Sequence, residues 1–311
     1  MNPYAYKVPE EKRVRMIVHT DCANEADDQF ALAHFLMTPK FEIPGIVAGH
    51  FDLVTQYEFP PYKKGETAKA SLDEIHKVLG LMELGEKYPV ALGSGIALRD
   101  EETPAPSEGA EFIIKESMRD DPRPLFIANQ GAVTDVASAI IMEPRICDRM
   151  TAIWIGGGIY PAGGQKEFNL NGDINAANVL FKSSMPVWQI PMDVYKSCLV
   201  SLAELQLKVK PCGKIGEYLF TQLVTLNEKL GFIPNWPNGE SWCLGDQPAV
   251  SVLLQEVDDD TKFIEIQAPS FDRQSNYVPG VKNKKIRVYQ RIDVRFTLED
   301  FFAKLALNYG A

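Results

Sequence analysis

Met16-Ile-Val-His-Thr-Asp21-Cys-Ala-Asn24-Glu25-Ala-Asp27-Asp28-Gln29-Phe-Ala-Leu-Ala-His-Phe-Leu36 is an apolar run that ends in an aspartate, a short turn, and two adjacent aspartates that open a helix. The run from Val14 to Thr20 reads as a strand buried on both faces. Phe30, Ala31, Leu32, Phe35 and Leu36 fall on one broad apolar side at helical spacing, and Pro39 ends the helix begun at Asp27. Five acidic or amide side chains crowd the eight residues from Asp21 to Asp28. Carboxylates that close repel unless a cation sits among them, and a hard divalent cation with oxygen ligands suits this set.

Strand-like and helix-like runs alternate along the chain on either side of this stretch. Strands are predicted over Glu42–Gly49, Val90–Leu92, Leu125–Ala128, Thr151–Ile155 and Val187–Ile190. Between and after them, helices are predicted over Ala68–Leu84, Ser107–Met118 with Ser107 as cap, Gly131–Met142, Asp173–Lys182, Leu202–Lys208, Lys214–Lys229 and Asp246–Gln255. The tail changes character, with strands at Lys262–Gln267 and Lys285–Asp293 and a closing helix at Leu298–Leu307. The expectation is an α/β fold: an open, mostly parallel (mixed) sheet with helices on both faces. Phe59–Gly65, Thr103–Gly109 and Gly231–Gly239 are loop-sized, and no long linker or repeat interrupts the pattern. One domain over residues 1–311 is expected, its last roughly 45 residues completing the sheet. In such sheets ligands bind beyond the carboxyl ends of the strands, where Asp21, His50, Gln130 and Gly156 are all placed.

The 311 residues carry a net charge of −10, so a nucleic-acid polymer is a poor expectation as partner. No run of about 18 apolar residues is present, which argues against a membrane span. Met1–Arg13 lacks the apolar core of a signal peptide, and five scattered cysteines without a CxxC pair suit free thiols in a cytoplasmic setting.

Two further clusters carry chemistry. Gly156-Gly-Gly-Ile-Tyr-Pro-Ala-Gly-Gly-Gln165-Lys166-Glu167-Phe168-Asn169 follows a strand, but it holds neither GxGxxG nor GxxxxGK[ST], so a nucleotide phosphate loop is not indicated. If this segment is extended, Glu167 and Asn169 point the same way. A carboxylate and an amide so placed suit vicinal sugar hydroxyls. Trp242-Cys-Leu-Gly245-Asp246-Gln247-Pro248-Ala249-Val250 places an aspartate at a helix start, which by itself is an N-cap more often than a ligand.

In series these motifs resemble the inosine–uridine-preferring nucleoside hydrolases, whose pattern runs DxDPGxDDAxAL, a G-[GP]-L-T-N turn, GGG…EFN…DPEAA and HDPLAV. Here the matches are Asp21 to Asp28, Gln130-Gly-Ala-Val-Thr134, Gly156 to Asn169 with Asp173, and Asp246-Gln-Pro-Ala-Val, in order from about Arg15 to Leu254. The resemblance implies Ca²⁺-dependent hydrolysis of the N-glycosidic bond of a ribonucleoside or related riboside to free base and ribose. It makes Asp21, Asp28, Asp246 and the main-chain carbonyl of Gln130 metal ligands, and Asp27 the general base toward water. Glu167, Asn169 and His50 would bind ribose hydroxyls, together with Asp246. A homo-dimer or homo-tetramer acting on a small nucleoside is implied as well, as is a place in purine or pyrimidine salvage.

Three departures stand out. His19 replaces the family's first aspartate, the opening turn is two residues longer and brings Asn24 and Glu25 toward the pocket, and Gly245 stands where a leaving-group histidine is frequent. Donation or stacking by His50, Trp242, Trp236 or Tyr160 is one reading, and core or rim packing is the expected role of each aromatic. Without that histidine, a metal-bearing ribose- or nucleoside-binding protein lacking turnover is the alternative. A Mg²⁺-dependent phosphohydrolase ranks below it, because no phosphate-binding loop is present.

Overall fold

A computed structural model describes residues 3–51, 62–234, 236–255 and 261–310. The strands are β1 (Val14–Thr20), β2 (Phe41–Glu42), β3 (Ile46–Ala48), β4 (Val90–Leu92), β5 (Leu125–Asn129), β6 (Met150–Ile155), β7 (Val187–Ile190), β8 (Leu199–Ser201), β9 (Ser241–Cys243), β10 (Phe263–Gln267), β11 (Ser270–Phe271), β12 (Tyr277–Val278) and β13 (Lys285–Tyr289). The helices are α1 (Asp28–Leu36), α2 (Thr67–Leu81), α3 (Glu108–Ser117), α4 (Thr134–Met142), α5 (Phe168–Gly172), α6 (Ile174–Lys182), α7 (Met192–Tyr195), α8 (Leu202–Lys208), α9 (Gly213–Lys229), α10 (Gln247–Ser251) and α11 (Val294–Tyr309).

The main sheet runs β10-β13-β7-β6-β5-β1-β3-β4, with β2 beside β1. Its pairs are parallel except β10 against β13, which close one edge. Strand β1 is central and buried at every position. Alternate side chains feed two cores: Met16 and Val18 join the one holding Phe30, Leu219 and Phe301, and Ile17 the one holding Ile113, Val136 and Leu180. Helices therefore cover both faces, and each buried aliphatic or aromatic side chain contributes about 1.5–3 kcal/mol. The open, mostly parallel sheet is the architecture the alternating pattern called for.

Several boundaries differ from expectation for identifiable reasons. The strand expected over Glu42–Gly49 is split into β2 and β3 around Pro44, which has no N–H to give a ladder. Helix α4 starts at Thr134 rather than Gly131, because Val133 before it stands at φ −90°, ψ 28°, outside the helical region. Helix α10 ends at Ser251, and Gln255 beyond it hydrogen-bonds Thr297 and the Asp293 carbonyl at the start of α11. The antiparallel pair β8–β9 was not legible, since three-residue strands carry no period. Of the loop expected at Phe59–Gly65, residues 59–61 lie outside the described residues.

Candidate active site

The carboxyl ends of β1, β5 and β6 open on one acidic cavity. Asp21, Asn24, Glu25, Asp27, Asp28, Gln130, Glu167, Asn169 and Asp246 line it, so the four sequence clusters converge there. One carboxylate oxygen from each of Asp27, Asp28 and Asp246 lies within 4.8 Å of the others, and all three residues are buried. Asp21 lines the same cavity outside that triple, with its Oδ2 accepting from Asn24 Nδ2 at 3.1 Å.

The electrostatics follow from this crowding. Burial, then the charge of Asp27, pushes the Asp28 carboxyl up from 3.8 to about 8, against hydrogen bonds from Thr20 and neighbouring carboxyls. Asp21 and Asp246 are raised well above their ordinary value, first by burial and then by Asp28. Burial raises Asp27 less, to about 6, because backbone N–H groups of Asp246, Gly245 and Asp28 donate to it. A divalent cation reverses these shifts by holding the carboxylates ionised. One more observation points to a ligand. Gln130 is 1% exposed and lines the cavity, yet neither its Oε1 nor its Nε2 has a hydrogen-bond partner. An oxygen-rich donor set of this kind suits a hard cation.

Across the cavity stands Glu167. The extended geometry expected around Phe168 is wrong, since Glu167 caps the short helix α5. Its Oε2 accepts from Gly157 N at 2.8 Å and Leu170 N at 2.9 Å, and its Oε1 from Asn169 N at 3.1 Å and Tyr195 Oη at 3.2 Å. Asn169 Nδ2 donates to the Ile155 carbonyl at 2.8 Å and to the Gln130 carbonyl at 3.2 Å, leaving its own oxygen for other partners. Gly157 adopts φ +87°, and a Cβ there would sit 2.3 Å from Gln189 Nε2. The glycine run thus serves a tight turn, which lets the Gly157 N–H reach Glu167.

The other expected residues are placed elsewhere. His50 is buried with Nε2 2.7 Å from Thr134 Oγ1, which donates to Asp173 Oδ2 at 2.7 Å. It supports the turn between β5 and α4 and is not among the residues lining the cavity. Trp242 is in the core, its ring 5.2 Å from that of Trp236, and Tyr160 packs edge-on against Tyr277. None of these aromatics lines the acidic cavity among the described residues. His19 is held inside the protein: Nε2 lies 3.0 Å from Asp135 Oδ2, both fully buried.

The sequence profile of the inosine-uridine preferring nucleoside hydrolases matches residues 16–299. The chain belongs to that family. It is thus a hydrolase acting on N-glycosyl compounds. It is 31% identical over 123 residues, 39% of each chain, to the inosine-uridine preferring nucleoside hydrolase of Leishmania major. With the pyrimidine-specific ribonucleoside hydrolase RihA of Salmonella paratyphi B it shares 23% identity over 68% of this chain and 73% of that one. The purine-preferring ribonucleoside hydrolase from Gardnerella vaginalis has the same fold, with a TM-score of 0.74 at 20% identity, covering 96% of this chain and 100% of that one.

This nucleoside hydrolase fills the place of the missing leaving-group histidine in its own way. A Cβ on Gly245 would lie 3.0 Å from Tyr195 Cδ2 and 3.4 Å from Asp27 Oδ2. Tyr195, at the end of α7, lines the cavity and reaches Glu167. Sequence reasoning missed it. The available signal was its position shortly past the predicted strand Val187–Ile190, the same reasoning that singled out Asp21 and Gln130.

Proposed function

We propose that the chain hydrolyses the N-glycosidic bond of a ribonucleoside or related riboside in a Ca²⁺-dependent reaction. The observation that carries this is the meeting of Asp27, Asp28 and Asp246 within 4.8 Å, facing Glu167 and Asn169 across one cavity. Asp21, Asp28, Asp246 and the Gln130 carbonyl hold the ion. Calcium supplies a positive centre that activates water and grips vicinal hydroxyls. Asp27 takes the proton from the attacking water, and its backbone hydrogen bonds keep it ionisable near neutral pH. Glu167 and Asn169 bind ribose, and the surrounding carboxylates favour the ribosyl cation-like transition state.

The test is a chromatographic screen of ribosides for released base and ribose, with and without chelator. Release that needs calcium is expected. Binding of a riboside by calorimetry with no base after long incubation would favour the non-catalytic alternative, which the glycine at 245 motivates. A cytoplasmic setting, suited by five free thiols, and a homo-dimer or homo-tetramer of one-domain chains belong to the same proposal, the assembly being read by light scattering.

A further inference from the structure

The lone pairs of the Glu167 carboxylate are all taken. Its two oxygens offer about four acceptor sites. Oε2 receives the N–H groups of Gly157 and Leu170, and Oε1 receives the N–H of Asn169 and the hydroxyl of Tyr195. All of these donors but Tyr195 are main-chain groups, fixed by the glycine turn and the start of α5, so they stay in place when a substrate arrives. Glu167 is itself only 3% exposed. A sugar hydroxyl entering the cavity therefore meets no free lone pair on this carboxylate.

Tyr195 is the donor of a different kind. It is half-buried at the end of α7 and lines the cavity. Its hydroxyl gives its hydrogen to Glu167 Oε1 at 3.2 Å, and among the described residues nothing donates to its oxygen. A phenol that donates to a carboxylate becomes a better acceptor, because linked hydrogen bonds polarise one another. The ring also has its space reserved: a Cβ at position 245 would lie 3.0 Å from Tyr195 Cδ2, so any side chain larger than glycine there would press on it.

Resting on the hydrolase reading above, we infer that Tyr195 is the residue that recognises the hydroxymethyl end of the sugar. The ion and Asn169 take the vicinal pair of hydroxyls: the Gln130 carbonyl assigned to the ion also accepts from Asn169 Nδ2 at 3.2 Å, so these groups are neighbours. The 5′-hydroxyl of a ribofuranoside is the one left. It donates to Tyr195 Oη, which donates on to Glu167, and Glu167 thus acts on the sugar through the phenol it holds. The contact lies away from C1′, where the bond breaks. It therefore serves ground state and transition state alike and shows in KM rather than kcat. The site selects ribosides whose 5′-hydroxyl is free.

The test compares wild type and Tyr195→Phe on p-nitrophenyl β-D-ribofuranoside and on its 5-deoxy form, with calcium present. The nitrophenolate leaves without a protein acid and carries its own colour, so the rates report on the sugar. Each sugar is compared between the two proteins, which cancels any difference in chemical lability. Wild type is expected to prefer the parent sugar by about tenfold in kcat/KM. Tyr195→Phe is expected to lose about tenfold on the parent, chiefly through KM, and less than about twofold on the 5-deoxy form. Its calcium affinity, read by calorimetry, is expected to match that of the wild type. Equal loss on both sugars, or no loss on either, overturns the inference. So does a wild type indifferent to the 5-hydroxyl, a result that needs no variant to fold. In each of these cases the hydrolase reading stands. No calcium-dependent release of nitrophenol from either sugar sinks the hydrolase reading itself, and the inference falls with it.

Discussion

Replacing Asp28 by asparagine removes one charge from the middle of the acidic group while keeping its shape. In the cation-free protein Asp28 is raised from 3.8 to about 8 by burial and by Asp27. A carboxyl raised by folding stabilises the folded chain at pH below its unfolded value, and that contribution is lost as pH climbs through the folded value. For Asp28 the window therefore runs from near 4 up to about 8. A displacement of this size corresponds to at most ~6 kcal/mol. Protons shared with Asp21 and Asp246 and relaxation of the open turn offset part of it, leaving roughly 2–3 kcal/mol near pH 8. Thr20 still has an oxygen to donate to in the variant, so no buried hydroxyl is orphaned. In chelator near pH 8, Asp28→Asn should melt about 4–6 °C above the wild type, as read by circular dichroism. The gain should vanish near pH 5, where the wild-type carboxyl is protonated. With saturating calcium the order should invert, because the variant has lost a ligand. A variant that melts at or below the wild type in chelator near pH 8 would refute the claim that these carboxylates are held together against their own repulsion.

Asp27→Asn should lower ribose release by about 10²–10⁴-fold in a reducing-sugar assay, with the fold intact by circular dichroism. Gly245→Ala drives a methyl against Tyr195 Cδ2 and Asp27 Oδ2 and should lower kcat by roughly tenfold, a loss that Tyr195→Ala in the same chain recovers in part. His19→Ala removes one of the three partners of the buried Asp135 carboxyl, which keeps Ser107 and Ser94. Urea unfolding should show a loss of about 1–3 kcal/mol, because a buried carboxyl oxygen loses its hydrogen-bond partner.

Much of the fold was legible in local pattern. Val14–Thr20 is a mostly apolar strand because both its faces are covered, and such runs are visible without tertiary knowledge. Ser107 and Asp173 were readable as helix starts because capping is a contact between near neighbours. Short pieces escaped. The β8–β9 strands and helix α5 are too brief to show a period, and the assumption of an extended Glu167–Asn169 segment failed for that reason. His50 was misplaced because the position past a strand end does not say which way a side chain turns. Its ring goes to Thr134, inside the protein.

The sequence by itself determined which chemistry was possible: carboxylates at the ends of strands, no phosphate loop, and no histidine before Asp246. Only the tertiary structure decided that Asp246, far along the chain from Asp27 and Asp28, joins them at one point, and that Tyr195 occupies the space above Gly245. The reason is physical. Hydrogen bonding and side-chain periodicity act between near neighbours and leave their mark in the sequence, whereas convergence depends on how the strands are ordered across the sheet and how the helices pack on it, and no local segment encodes that.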